Sequence, residues 1–170
     1  MILTILKMLY RKINTHNKSL LRKRTPTPEK LCNCWSKPNC LLNGKCLTTN
    51  IIYQATVKCE NNKETYIGLT GDQFKSRYRN HTASFSNTRK RSATELSKHI
   101  WTLKDSGKDF TLSWKIITCA NPYSNTSKQC NLCSTEKYFI ICRPSLRSLN
   151  KRNELTSTCR YVNKFLLKYA

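Results

Sequence analysis

Four cysteines fall within fifteen residues in the stretch CNCWSKPNCLLNGKC, as Cys32, Cys34, Cys40 and Cys46 at the spacing C-x-C-x5-C-x5-C. Pro38, Asn43 and Gly44 interrupt the stretch, and residues of these types favour turns over helix or strand. So short a loop cannot build an apolar core of its own. Turns do let four sulfurs converge, and zinc takes four soft ligands tetrahedrally at ~2.3 Å, replacing the missing core. A structural zinc site is therefore the leading reading of residues 31–48, although the C-x-C start departs from the usual C-x2-C knuckle. Free or disulfide-linked cysteines are the alternative.

The partner is read from charge. The 170-residue chain carries 31 Lys and Arg against 9 Asp and Glu, a net charge of +22. Such a charge opposes compaction unless a polyanion sits nearby, which makes nucleic acid the leading partner. An anionic membrane surface is the rival, but it requires a basic amphipathic helix or a lipid anchor, and the sequence has no lipidation motif. Residues 1–30 combine an apolar piece, MILTILKMLY, with the basic LLRKR and the extended TPTPEK, and read as a basic tail or linker. The apolar piece carries Lys7, has no basic residues before it and no small-residue cleavage site. It makes a poor signal peptide and falls short of the ~20 residues of a membrane span. The ten cysteines thus read as reduced thiols or metal ligands in the nucleus or cytoplasm. A secreted, disulfide-linked basic protein is the minority alternative.

From residue 49 the pattern predicts one small α/β domain. IIYQATVKC alternates, placing Tyr53, Ala55 and Val57 on one strand face, and ETYIGL resumes the extended pattern after a turn at Asn61-Asn62. Phe74, Tyr78 and Phe85 then recur at near-helical spacing, with Thr70 or Asp72 available to cap the helix. On that helix Arg77 and His81, at i and i+4, share a neighbouring face. Leu96, Ile100 and Leu103 make the stripe of a second helix that Gly107 stops. Phe110, Leu112, Trp114 and Ile116 alternate in the clearest strand, NLCSTEKYFIICRP reads as a third helix ending near Pro144, and NELTSTCRYVNKFLLK reads as a last helical segment. The order β-β-α-α-β-α implies a mainly antiparallel three-stranded sheet flanked by helices and preceded by the cysteine-rich loop.

A phosphodiester substrate requires an attacking water, a group to take its proton, and a cation or metal ion to stabilise the added charge. Two-metal nucleases use clustered carboxylates, but only eight acids follow residue 50, and Asp105 with Asp109 is their one close aspartate pair. A single-carboxylate metal site assisted by tyrosines and an arginine is easier to assemble from this chain.

These residues resemble the GIY-YIG endonucleases. IIY at Ile51 to Tyr53 and YIG at Tyr66 to Gly68 stand on the predicted hairpin. Arg77 and His81 follow in R-x3-H spacing, then Glu136 in STEK and Asn150 in LNKR. The resemblance covers roughly residues 50 to 155, and its closest look is to the endonuclease of Penelope-like retroelements. It implies a metal-dependent endonuclease that cuts DNA, with Tyr53 helping to deprotonate water and Tyr66 ordering water and phosphate. Arg77 would stabilise the charged phosphate, and His81 would assist at the phosphate or carry a proton. Glu136 would ligate Mg2+ or Mn2+, Asn150 would fix the site by hydrogen bonds, and Gly68 would let the backbone approach substrate. A reverse transcriptase or element RNA is a further partner consistent with this origin. Ile51 departs from the family's glycine, and a lone Cys59 stands where some retroelement relatives carry a cysteine pair.

The expected organisation is a basic tail over 1–30, the zinc-binding segment over 31–48, the nuclease-like domain over 49–155 and a basic segment over 156–170. A nucleic-acid-binding module with the nuclease fold and no catalysis is the alternative function. Cys130 and Cys133 read either as a buried thiol pair or as half of a second zinc site with Cys119 or Cys142, and His99 reads as structural.

Overall fold

The computed structural model describes residues 31–36, 39–60, 62–125, 129–142 and 147–151. The basic tail over 1–30, the segment over 156–170 and the expected helix at Asn153–Lys168 lie outside the described residues.

Alternating apolar residues make β1 (Ile51–Cys59), which pairs antiparallel with β2 (Asn62–Thr70) from Ile51 opposite Thr70 to Cys59 opposite Asn62. Positions 60 and 61 join them, with Glu60 at φ 51°. The turn thus begins one residue before the expected Asn61-Asn62 pair, because Asn62 is already in the ladder. On its other side β1 pairs antiparallel with β3 (Thr111–Cys119), so the sheet order is β2-β1-β3.

Three helices cover the sheet: α1 (Phe74–Ser86), α2 (Glu95–Asp105) and α3 (Asn131–Cys142). Tyr53, Ala55 and Val57 of β1 and Tyr66 of β2 bury one face against Phe74 and Phe85 of α1 and Leu96, Ile100 and Leu103 of α2. The other face buries Ile52 and Ile67 against Leu132 and Ile140 of α3. Each fully buried side chain of this size contributes about 1.5–3 kcal/mol through removal from water. The three-stranded antiparallel sheet flanked by helices is what the period-2 and period-3.6 patterns predicted, and the helices lie on both of its faces. A two-residue hairpin, β4 (Tyr123–Ser124) with β5 (Gln129–Cys130), was not expected from the polar stretch that contains it.

Thr94 caps α2 by accepting from the Ser97 amide at 3.0 Å, and Gly107 follows at φ 64°. The start of α1 differs from expectation. Neither Thr70 nor Asp72 caps it; the N-cap is Gln73, whose side chain makes no capping bond. The Phe74 and Lys75 amides instead donate to the carbonyls of Thr48 (3.0 Å) and Cys46 (2.8 Å). The cysteine loop already supplies acceptors for the orphan donors that a side-chain cap would satisfy.

β2 lies at the edge of the sheet, where unpaired backbone groups invite association. Residues 147–150 cover it: the Thr65 amide donates to the Arg147 carbonyl, and the Leu149 amide to the Thr65 carbonyl.

Candidate active site

Directly opposed residues of an antiparallel pair project to the same face. Tyr53 stands opposite Gly68 and Ala55 opposite Tyr66, so both tyrosines and the glycine share the face that α1 covers. A Cβ at Gly68 would lie 2.5 Å from the Tyr53 hydroxyl oxygen and 3.0 Å from Tyr66 Cε1. Close approach to Tyr53 is therefore what glycine permits here. The β1–β3 register shifts between Ile52 and Tyr53, a bulge of the kind that re-aims side chains. Ile51 is fully buried in the same core as Tyr53.

Arg77 and His81, one turn apart on α1, both reach Tyr53. Arg77 Nε donates to the Tyr53 hydroxyl at 3.0 Å, and that hydroxyl lies 2.7 Å from His81 Nε2. Burial, reinforced by the Arg77 charge, pushes the His81 imidazole down to about 3. The ring is neutral at pH 7, and in its Nδ1–H tautomer Nε2 accepts from the Tyr53 hydroxyl. Burial raises the Tyr53 phenol, and the neighbouring Arg77 charge opposes that rise without cancelling it. Trp114 packs against both rings, with centroids 5.3 Å from His81 and 5.9 Å from Tyr53, and Phe85 stacks on His81 at 6.0 Å.

This environment predicts a specific acid sensitivity. The unfolded chain binds a proton at His81 below its ordinary pKa of about 6.5, whereas the folded chain refuses it until about pH 3. Stability from this group is present above pH 6.5 and falls by about 1.4 kcal/mol per pH unit through that window. Urea melts at pH 7 and pH 5 should show wild type losing about 2 kcal/mol more than His81→Asn. Equal losses in the two proteins would refute the buried neutral imidazole.

Asn150 clamps the YIG strand. Its Oδ1 accepts from the Ile67 amide at 2.7 Å and its Nδ2 donates to the Ile67 carbonyl at 2.8 Å, holding the backbone between Tyr66 and Gly68. Glu136 comes from α3, in the opposite layer, with a side chain 14% exposed and Lys137 Nζ 4.0 Å from its Oε2. Its negative charge acts on both Tyr53 and Arg77. Tyr53, Tyr66, Gly68, Arg77 and His81 thus meet on one face, Asn150 braces their strand from its edge, and Glu136 influences them electrostatically. His99, read as structural, stands apart from this group with Nε2 2.6 Å from Glu64 Oε2.

A cleft of about 260 Å3 opens beside Arg77 and His81, lined also by Asn80, Ser84, Lys90 and Thr94. Sequence reading missed these residues as a group. The only signal was the basic connector SNTRKRSA, which carries Lys90 and reads equally well as a solvated tail. Alternation places Trp114 on a strand, and only the tertiary structure packs it against His81.

The four-cysteine loop has converged. All four sulfurs of Cys32, Cys34, Cys40 and Cys46 lie within 4.8 Å of one another, close enough to hold a metal such as zinc. Burial raises Cys40, but amide donors from Leu42 and Gly44 and the sulfurs of Cys32 and Cys46 outweigh it and bring the thiol down to about 6. Burial carries Cys46 up to about 12, helped by the Cys32 and Cys34 sulfurs. No described cysteine is in a disulfide. Cys130 and Cys133 approach to 3.2 Å, but among the described residues no third ligand joins them in a metal-sized cluster.

Comparison of the chain with protein-family models, with curated proteins and with solved structures finds no match.

Proposed function

We infer that the chain is a metal-dependent DNA endonuclease of the GIY-YIG type, with the retroelement origin that its motifs suggest. The observation that carries this reading is the Tyr53 hydroxyl held between Arg77 Nε and a neutral His81 Nε2. During attack the Tyr53 oxygen, held by the Arg77 guanidinium, can take the water's proton as its own proton passes to His81 Nε2. This concerted relay leaves no free phenolate, and its imidazolium is stabilised by the negative charge of the bound phosphate. Arg77 spends only its Nε–H on Tyr53, which leaves its terminal N–H groups for a phosphate in the adjoining cleft. Tyr66 orders water and phosphate on the same face, and the Asn150 clamp keeps its strand in register.

Glu136 is the carboxylate proposed to hold Mg2+ or Mn2+. A hard oxygen donor suits either ion, and the charge of Glu136 already reaches Tyr53 and Arg77. When bound, the ion supplies Lewis-acid stabilisation of phosphate charge. The net charge of +22 supports DNA as the substrate. These partners suit action in the nucleus, with a reverse transcriptase or element RNA as companions.

The test is nicking of supercoiled plasmid with and without Mg2+, wild type against Tyr53→Phe. Mg2+-dependent relaxation by wild type, reduced about 100-fold or more in the variant, is expected. DNA binding without cleavage by either protein would favour a binding module with the nuclease fold. Equal cleavage by the two proteins would remove Tyr53 from the reaction.

A further inference from the structure

We propose that the four-cysteine loop is a structural zinc site whose occupancy anchors the first turn of α1, and with it Arg77 and His81. The proposal is independent of the nuclease reading, because it concerns how the helix is held.

The first support is the spacing of the sulfurs. Tetrahedral zinc with bonds of ~2.3 Å has ligand sulfurs ~3.8 Å apart, whereas a disulfide would bring two of them to ~2.05 Å. The Cys32–Cys40, Cys34–Cys46 and Cys32–Cys46 sulfur pairs all stand at 3.6 Å. These three pairs are spaced as ligands of one ion rather than as covalent bridges, and all four sulfurs lie within 4.8 Å of one another. The loop is built to present them. Asn43 and Gly44 take φ 48° and 85° to turn the chain between Cys40 and Cys46, and the Cys34 amide donates to the Cys32 sulfur at 3.3 Å. The Leu47 amide donates to the Leu31 carbonyl at 2.9 Å and closes the two ends of the loop.

The second support is the connection to α1. A ligand residue of the cluster, Cys46, gives its carbonyl to the Lys75 amide at 2.8 Å, and Thr48, two residues on, gives its carbonyl to the Phe74 amide at 3.0 Å. The N-cap Gln73 makes no side-chain capping bond, so these carbonyls are the partners of the first two helix amides. Lys75 Nζ also donates to Asn33 Oδ1 at 2.7 Å, between Cys32 and Cys34. Leu42, between Cys40 and Cys46, is buried in the same core as Tyr53 and Phe74. Arg77 lies less than a turn beyond these anchors, and His81 one turn further along the same helix. An empty cluster loses the cross-link that sets the Cys46 and Thr48 carbonyls, and the first turn of α1 is freed to fray.

The experiment uses the full chain. Elemental analysis of protein purified with zinc should give close to one zinc per chain, and Cys40→Ser should lower that content. Zinc is then withdrawn from wild type with a zinc-selective chelator, without Mg2+ or DNA, and amide hydrogen exchange is followed by residue. Exchange at Phe74 and Lys75 should accelerate about tenfold, in line with the loss of a helix cap. The α2 amides should stay unchanged, and added zinc should restore protection. Zinc-free folded protein, zinc loss that leaves α1 exchange unaltered, or equal acceleration of α1 and α2 would each overturn the proposal. Wild-type chelation keeps the test valid if Cys40→Ser does not fold, and exchange is read whether or not the protein cuts DNA.

Discussion

Glu136→Gln is expected to lower Mg2+-dependent cleavage by about 1,000-fold or more while leaving DNA affinity and its salt dependence near wild type. The substitution nearly preserves shape and removes only the charge, so the packing of α3 should survive it. The charge of Glu136 acts on both Tyr53 and Arg77. Phosphate attraction depends on lysines and arginines, and a chain at +22 that loses one carboxylate attracts DNA no less. Plasmid nicking and a filter-binding salt titration on the same preparations separate the two effects. Unchanged nicking would exclude Glu136 from the reaction, and a parallel loss of binding and thermal stability would assign it a structural role.

Arg77→Lys should reduce cleavage about 100- to 1,000-fold with little change in affinity. The lysine keeps the positive charge but has one nitrogen in place of a fork. In the wild-type site Arg77 Nε is already bonded to the Tyr53 hydroxyl at 3.0 Å, so one ammonium cannot serve that hydroxyl and a phosphate with the same geometry. Equal single-turnover rates for the two proteins would show that the charge alone suffices. Arg77→Ala separates the contributions further, since it removes the charge and the Tyr53 contact together.

Local patterns decided a good deal of this protein. Alternation in IIYQATVKC and in the Phe110 to Ile116 run determines two strands, because each must bury one face and wet or cover the other. The stripes through Phe74 and Phe85 and through Leu96, Ile100 and Leu103 determine two helices for the corresponding reason at period 3.6. The i, i+4 spacing places Arg77 and His81 on one side of a helix before any tertiary contact is known. Four cysteines among turn residues already imply a convergent cluster.

Long-range approach decided the rest. That Tyr53 Oη lies between Arg77 and His81 depends on the packing of α1 across β1, since the residues are 24 and 28 positions apart in the chain. The Asn150 clamp on Ile67 spans 83 positions, and no local pattern marks an asparagine as a strand's edge partner. Helix capping misled for the same reason. Thr70 and Asp72 are locally plausible caps, but the amides of α1 found carbonyls at Cys46 and Thr48 that only the folded loop brings within reach. The His81 imidazole has an ordinary pKa in any extended chain. Its fall to about 3 comes from burial beside Arg77, an electrostatic property that exists only once the helix, the sheet and the rings of Trp114 and Phe85 have excluded water from it.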